Sequence, residues 1–171
     1  MCDFDRHIPS PYFRKEFELD FTAEKAEILI CGLGFYRLWI NGTEITKGAL
    51  APYISNTGDI CYYDLYNIAA LLKNGKNVIG VQLGNGFRNP FGGFVWDFEK
   101  MESRGPVCLA LTFKAEGGGK ELCFEADESF KTHASPVIFD ELRMGCRYDA
   151  RLEIPGWSLP DFDDSGWSFA E

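Results

Sequence analysis

Only two histidines, His7 and His133, occur in the 171 residues, and none of the six cysteines stands in a C-x-x-C pair. Zinc needs several such ligands at short spacing, so the expectation is no metal centre. Cationic residues are also scarce. Lys and Arg number 17 against 26 Asp and Glu, for a formal net charge of −9. A polyanion binder needs a basic face to neutralise phosphates, so nucleic acid and anionic membrane surfaces are disfavoured as partners. No apolar run reaches the roughly 18–20 residues that a bilayer-spanning helix requires. The opening Met1-Cys2-Asp3-Phe4-Asp5 has no basic stretch followed by an apolar one, so no secretion signal is expected. The cysteines (Cys2, Cys31, Cys61, Cys108, Cys123 and Cys146) are scattered. Their even number leaves a disulfide framework open. Four of them fall in strand-like segments, however, which favours reduced thiols, some of them buried. That implies a reducing compartment, most simply a bacterial cytoplasm; the alternative is a periplasmic or extracellular protein whose signal was trimmed.

What is present is ordinary for a globular chain: 46% hydrophobic and 25% charged residues. The length suits one core, or a core and a tail. Aromatics reach 15%, more than such a core needs, so some are expected near the surface. Period-two alternation dominates. From Phe13 to Phe21 the odd positions carry Phe13, Lys15, Phe17, Leu19 and Phe21, and the even ones Arg14, Glu16, Glu18 and Asp20. This reads as a strand with one face toward a core and the other toward water. Val107, Leu109, Leu111 and Phe113 repeat the pattern, as do Leu122, Phe124 and Ala126, with Gly117-Gly118-Gly119 as the turn of a hairpin. Glu27 to Asn41 reads as two strands meeting at Gly32-Leu33-Gly34, with a reversal at Asn41-Gly42. Cys61 to Tyr66 and Asn77 to Leu83 read as further strands, with a short helix over 67–72 between them.

Eight or nine short strands, one short helix and Gly- and Asn-rich turns predict an all-β fold, a β-sandwich of jelly-roll type. The expected organisation is an arm at 1–10, the sandwich at 11–153 and a linker at 154–171. The last stretch is turn-rich and carries Asp161, Asp163, Asp164 and Glu171.

Hydrolytic chemistry is poorly supplied. Glycoside cleavage needs two carboxyl groups roughly 5–9 Å apart, one of them kept protonated. Asp161, Asp163 and Asp164 lie in a solvated-looking tail, where turn and cap roles are the simpler reading. No serine sits in a nucleophile elbow, and Gly117-Gly118-Gly119 lacks the Lys-Ser/Thr of a phosphate loop. No catalytic residue is therefore assigned. The candidate binding loop is Gly84 to Trp96, where Asn85, Phe87, Arg88, Asn89 and Trp96 combine amides, a guanidinium and rings. Sugars bind through such groups, and loops at sandwich ends are where such sites are placed. Tyr53 and Asn56 could join the same rim. The competing reading is that Phe87, Phe91, Phe94 and Trp96 pack on a neighbouring domain.

Several blocks, in order, resemble the N-terminal domain of bacterial α-L-rhamnosidases. They are Tyr12-Phe13-Arg14-Lys15-Glu16-Phe17, Leu38-Trp39-Ile40-Asn41-Gly42, Leu50-Ala51-Pro52, Asp64 to Leu72 with Asn77-Val78-Ile79-Gly80, Leu83-Gly84-Asn85-Gly86-Phe87, Tyr148-Asp149-Ala150-Arg151, and Phe162-Asp163-Asp164-Ser165-Gly166-Trp167. The resemblance implies a galactose-binding-domain-like sandwich that is a non-catalytic accessory domain of a glycoside hydrolase. The acids that cleave terminal α-L-rhamnose would then sit in a separate (α/α)₆ barrel. Its implied partners are the catalytic and other domains of the same polypeptide, with rhamnose-containing glycans as the alternative of a carbohydrate-binding module. Some related domains hold rhamnose through calcium. Lys47-Gly48, Asn85 and Cys146 stand here where that family often has acids, and calcium prefers charged oxygen ligands. The expectation is therefore no cofactor.

Overall fold

The computed structural model describes residues 9–90, 97, 100, 102 and 104–171. Among them are twelve strands: β1 (Pro11–Leu19), β2 (Lys25–Leu33), β3 (Phe35–Ile40), β4 (Thr43–Glu44), β5 (Asp64–Asn67), β6 (Gly75–Gly84), β7 (Cys108–Gly117), β8 (Lys120–Glu125), β9 (Lys131–Ala134), β10 (Val137–Glu141), β11 (Gly145–Tyr148) and β12 (Ser168–Phe169). A six-stranded sheet runs β12-β9-β1-β6-β3-β4, and a four-stranded sheet runs β5-β2-β7-β8. β10 and β11 form a separate hairpin. The described helices are two 3₁₀ turns, Ala69–Leu71 in place of the short helix expected at 67–72, and Ala150–Leu152.

Alternation builds the sandwich as expected. Tyr36, Leu38 and Ile40 of β3, with Ile79, Val81 and Leu83 of β6, face Ile28 and Ile30 of β2 and Leu111, Phe113 and Ala115 of β7. Phe17 and Phe124 close the core around Phe113, with ring centroids 4.7 Å away in each case. The β2–β3 bend depends on Gly34, whose φ is +119°. A Cβ there would lie 2.1 Å from the Gly84 carbonyl oxygen, so only glycine lets the two backbones approach this closely. Deep in the core, the Tyr36 hydroxyl donates to Asp64 and lies 2.9 Å from the Tyr66 hydroxyl. Burial and the Asp64 hydrogen bond hold its proton well above the usual tyrosine range.

The far face of the six-stranded sheet departs from the sequence reading. Arg14, expected in water, is buried, and so is Tyr12 on the same face. They are covered by residues 154–171, which do not form a free linker but fold back as a strap. Trp157 stacks on Tyr12 at 4.1 Å, and Trp167 lies 6.4 Å from the same ring. β12 adds a two-residue rung to β9. Gly80 makes room for the strap, since a Cβ there would sit 2.7 Å from the Trp157 ring. Arg14 is the bolt. Its Nε donates to the Trp157 carbonyl (3.0 Å), its Nη2 to Leu159 O (3.1 Å) and Glu16 (2.9 Å), and its Nη1 to Asp164. Burial pushes the Tyr12 hydroxyl up to about 12. Residues 1–8 of the expected arm lie outside the described residues. Ser10 is already buried, and its amide donates to Val137 O at 3.2 Å.

The thiols are more exposed than expected. Of the five described cysteines, all free, Cys31 is half-buried and Cys61, Cys108, Cys123 and Cys146 are exposed.

Candidate functional site

The loop after β6 is organised from beneath by Asp140 of β10. Its carboxylate accepts from the Asn85 amide nitrogen (2.6 Å) and from Asn85 Nδ2 (2.7 Å). Asn85 Oδ1 in turn accepts from Asn89 Nδ2 at 2.8 Å, and Asn89 Oδ1 accepts from Arg104 Nε at 3.3 Å. Asn85 is 1% exposed. Buried amides must find partners, and here they find each other. Asn85 and Asn89, expected at a binding rim, instead form the floor that fixes the loop. The backbone adds to this, with the Arg88 and Asn89 amides both donating to Asn85 O at 3.1 Å.

Tyr53, Phe87 and Arg88 do converge. They line one groove with Phe35, Thr57 and Tyr62. Arg88 Nε donates to Pro106 O at 3.2 Å, and its Nη1 to Thr57 Oγ1 at 3.4 Å. Tyr53 stands 86% exposed. Asn56 lies in the adjoining turn and serves that turn: its Nδ2 donates to Asp59 (2.6 Å) and its Oδ1 accepts from the Gly58 amide (3.2 Å). Trp96, together with Phe91 and Phe94, lies outside the described residues. The groove's volume of about 20 Å3 admits a water rather than a pyranose; small-molecule pockets usually reach ~300 Å3 or more.

A second opening, of about 400 Å3, lies where the strap crosses β1, lined by Arg14, Lys15, Glu16, Lys76, Lys131, Asp161, Phe162 and Asp164. Its three carboxylates are each held by cations. Glu16 meets Arg14 (2.9 Å) and Lys76 (3.6 Å), Asp161 meets Lys76, and Asp164 meets Arg14 and Lys131 (2.7 Å). The opening is a consequence of fastening the strap. Elsewhere the carboxyl groups whose acidity is shifted move down: Asp20 through the Lys120 ammonium, Glu116 through Lys114, Asp127 and Asp163 through neighbouring serines, and Asp149 to about 2 through Arg151. A general acid requires the opposite shift.

Sequence reasoning missed Asp140, Arg104 and the strap contacts. Their separation from their partners along the chain left no local pattern to find.

Residues 22–171 match the model of the α-L-rhamnosidase N-terminal domain. The chain belongs to this family. An α-L-rhamnosidase of Formosa agariphila is 35% identical over 168 residues, covering 94% of this domain and 17% of the relative. Among solved structures, the α-L-rhamnosidase of Dictyoglumus thermophilum superposes with a TM-score of 0.85 at 35% identity, covering 95% of this chain and 18% of that one. The Aspergillus terreus α-L-rhamnosidase gives 0.89 at 30% identity, with 99% and 20% covered. This α-L-rhamnosidase N-terminal domain therefore spans about a sixth of the length of the relatives it matches.

Proposed function

We propose that this chain serves as the non-catalytic accessory domain of a longer α-L-rhamnosidase, supporting a catalytic part that lies elsewhere in the polypeptide. The coverage carries this reading: the match takes in nearly the whole chain and only 17% of the relative. The carboxylates agree with it. A glycosidase pairs one protonated with one ionised carboxyl group, whereas those of the strap opening are ion-paired. Calcium has no part in the reading. The Lys47 ammonium lies 4.6 Å from the centre of the Tyr66 ring, and Asn85 already spends its side chain on Asp140 and Asn89.

The test is hydrolysis of an aryl α-L-rhamnoside by the full polypeptide and by this chain alone. Turnover is expected from the first and only background from the second. Turnover by the isolated chain sinks the accessory reading, and an inert full polypeptide sinks the enzyme it is assigned to.

A carbohydrate-binding module is the second reading, favoured by the convergence of Tyr53, Phe87 and Arg88 on one rim. Titration of the domain with L-rhamnose separates the two. Binding weaker than about 1 mM, worth roughly 4 kcal/mol, is the expected result. Tighter binding that is lost in Phe87→Ala would put the module first.

A further inference from the structure

The outer face of the four-stranded sheet is divided into two halves of opposite character. At one end Lys25, Glu27, Lys114, Glu116 and Glu121 are charged, with Lys114 3.0 Å from Glu121. At the other end, Leu29 of β2 stands opposite Leu65 of β5, and both are exposed. On the other side of β2, Cys31 pairs with Ala110 and Leu33 with Cys108. Charge enters this half at its edges, with Glu125 of β8 opposite Thr112 and the Lys47 ammonium donating to Leu65 O.

The apolar surface continues into the connection between β4 and β5. Residues 45–63 make one isolated bridge, Ala51 to Tyr36, and no strand. A connection of this length without regular structure is uncommon inside a compact domain and is usually either functional or a linker. It exposes Leu50, Tyr53, Ile54, Ile60, Tyr62 and Tyr63, the last at 63%. From Leu50 to Leu65 the only charged residues are Asp59 and Asp64. Asp64 accepts the Tyr36 hydroxyl, and Asp59 is tied to Asn56. A group of exposed apolar side chains with so little charge, on a chain of net charge −9, is the signature of a surface that another protein surface covers.

We propose that this belt of side chains is the seat on which the domain docks against another domain of its own polypeptide. The proposal rests on the accessory-domain reading and supplies its contact surface. Two observations select a tethered partner. The relatives are about six times as long as this chain, which covers 17% of one of them, so most of such a polypeptide lies outside the sandwich. The belt also offers almost no charge by which a free partner could be steered and chosen. A linked neighbour needs no steering, because the tether itself sets a high local concentration.

Hydroxyl-radical footprinting of the full polypeptide tests this, each side chain being compared with itself in the denatured polypeptide. Labelling at Tyr62 and Tyr63 should fall roughly tenfold, as for side chains in the core of an interface. Labelling that stays within about twofold of the denatured rate, as side chains left on the surface would show, overturns the proposal. Protection that fades on dilution would assign the belt to a second copy. Protection that appears only with an added rhamno-oligosaccharide would assign it to glycan. Either result overturns docking in cis. In the Leu29→Glu, Leu65→Glu double variant, labelling at Tyr63 should return while core Phe113 stays protected, which shows the sandwich intact. Protection in a polypeptide that hydrolyses no rhamnoside would remove the enzyme reading and leave the docking surface standing.

Discussion

Arg14→Ala should lower the free energy of unfolding by about 3–5 kcal/mol, the usual cost of breaking a buried ion pair from one side. The guanidinium is 1% exposed and donates to Glu16, Asp164 and two strap carbonyls. Its removal leaves the Trp157 and Leu159 carbonyls without their donor. Arg14→Lys restores the charge, but one ammonium cannot reach four acceptors set around a planar fork, so it should recover less than half of the loss. Urea titration reads the energy. Tryptophan emission reads the mechanism, because Trp157 and Trp167 become wet if the strap lifts. A loss smaller than about 1 kcal/mol, the scale of a surface pair, would show that the strap is held by its rings alone.

Phe113→Ala should cost a similar amount, about 3–5 kcal/mol, through the lost ring and the cavity it leaves. Phe113 is wholly buried and packs against Phe17 and Phe124. Phe113→Leu keeps most of the volume and should cost less than about 1.5 kcal/mol. The urea midpoint should drop with an unchanged slope, because the loss lies within the folded core. Equal costs for the two substitutions would mean that ring geometry, not filled space, sets stability at this position.

The sandwich was legible because a half-buried strand writes its burial in period two. The inward residues of β1, β2, β3 and β7 follow that rule, and the Gly117–Gly119 hairpin joins β7 to β8 where the glycines indicated. The outer face of β1 was not legible. Tyr12 and Arg14 look like the solvated partners of Phe13 and Phe17 until Trp157 and Asp164 arrive from 145 and 150 residues away. Gly80 is explained only by the Trp157 ring above it. The contacts beneath the candidate binding loop were hidden for the same reason. Asn85 and Asn89 have the chemistry of sugar ligands, but Asp140, 55 residues further on, draws the Asn85 amide inward. Tyr53, Phe87 and Arg88 do line one groove, where Arg88 is held by Pro106 O and Thr57.

The strap also sets a timetable for synthesis. The first strand leaves the ribosome early, but the side chains that cover its outer face are among the last to be made. Until Trp157, Leu159 and Asp164 emerge, Tyr12 remains uncovered and Arg14 has Glu16 alone of its four partners. Contacts this distant along the chain close slowly and leave sticky intermediates meanwhile. A nascent chain arrested before residue 154 should therefore carry a nearly complete sheet with one raw side, a ready target for chaperones.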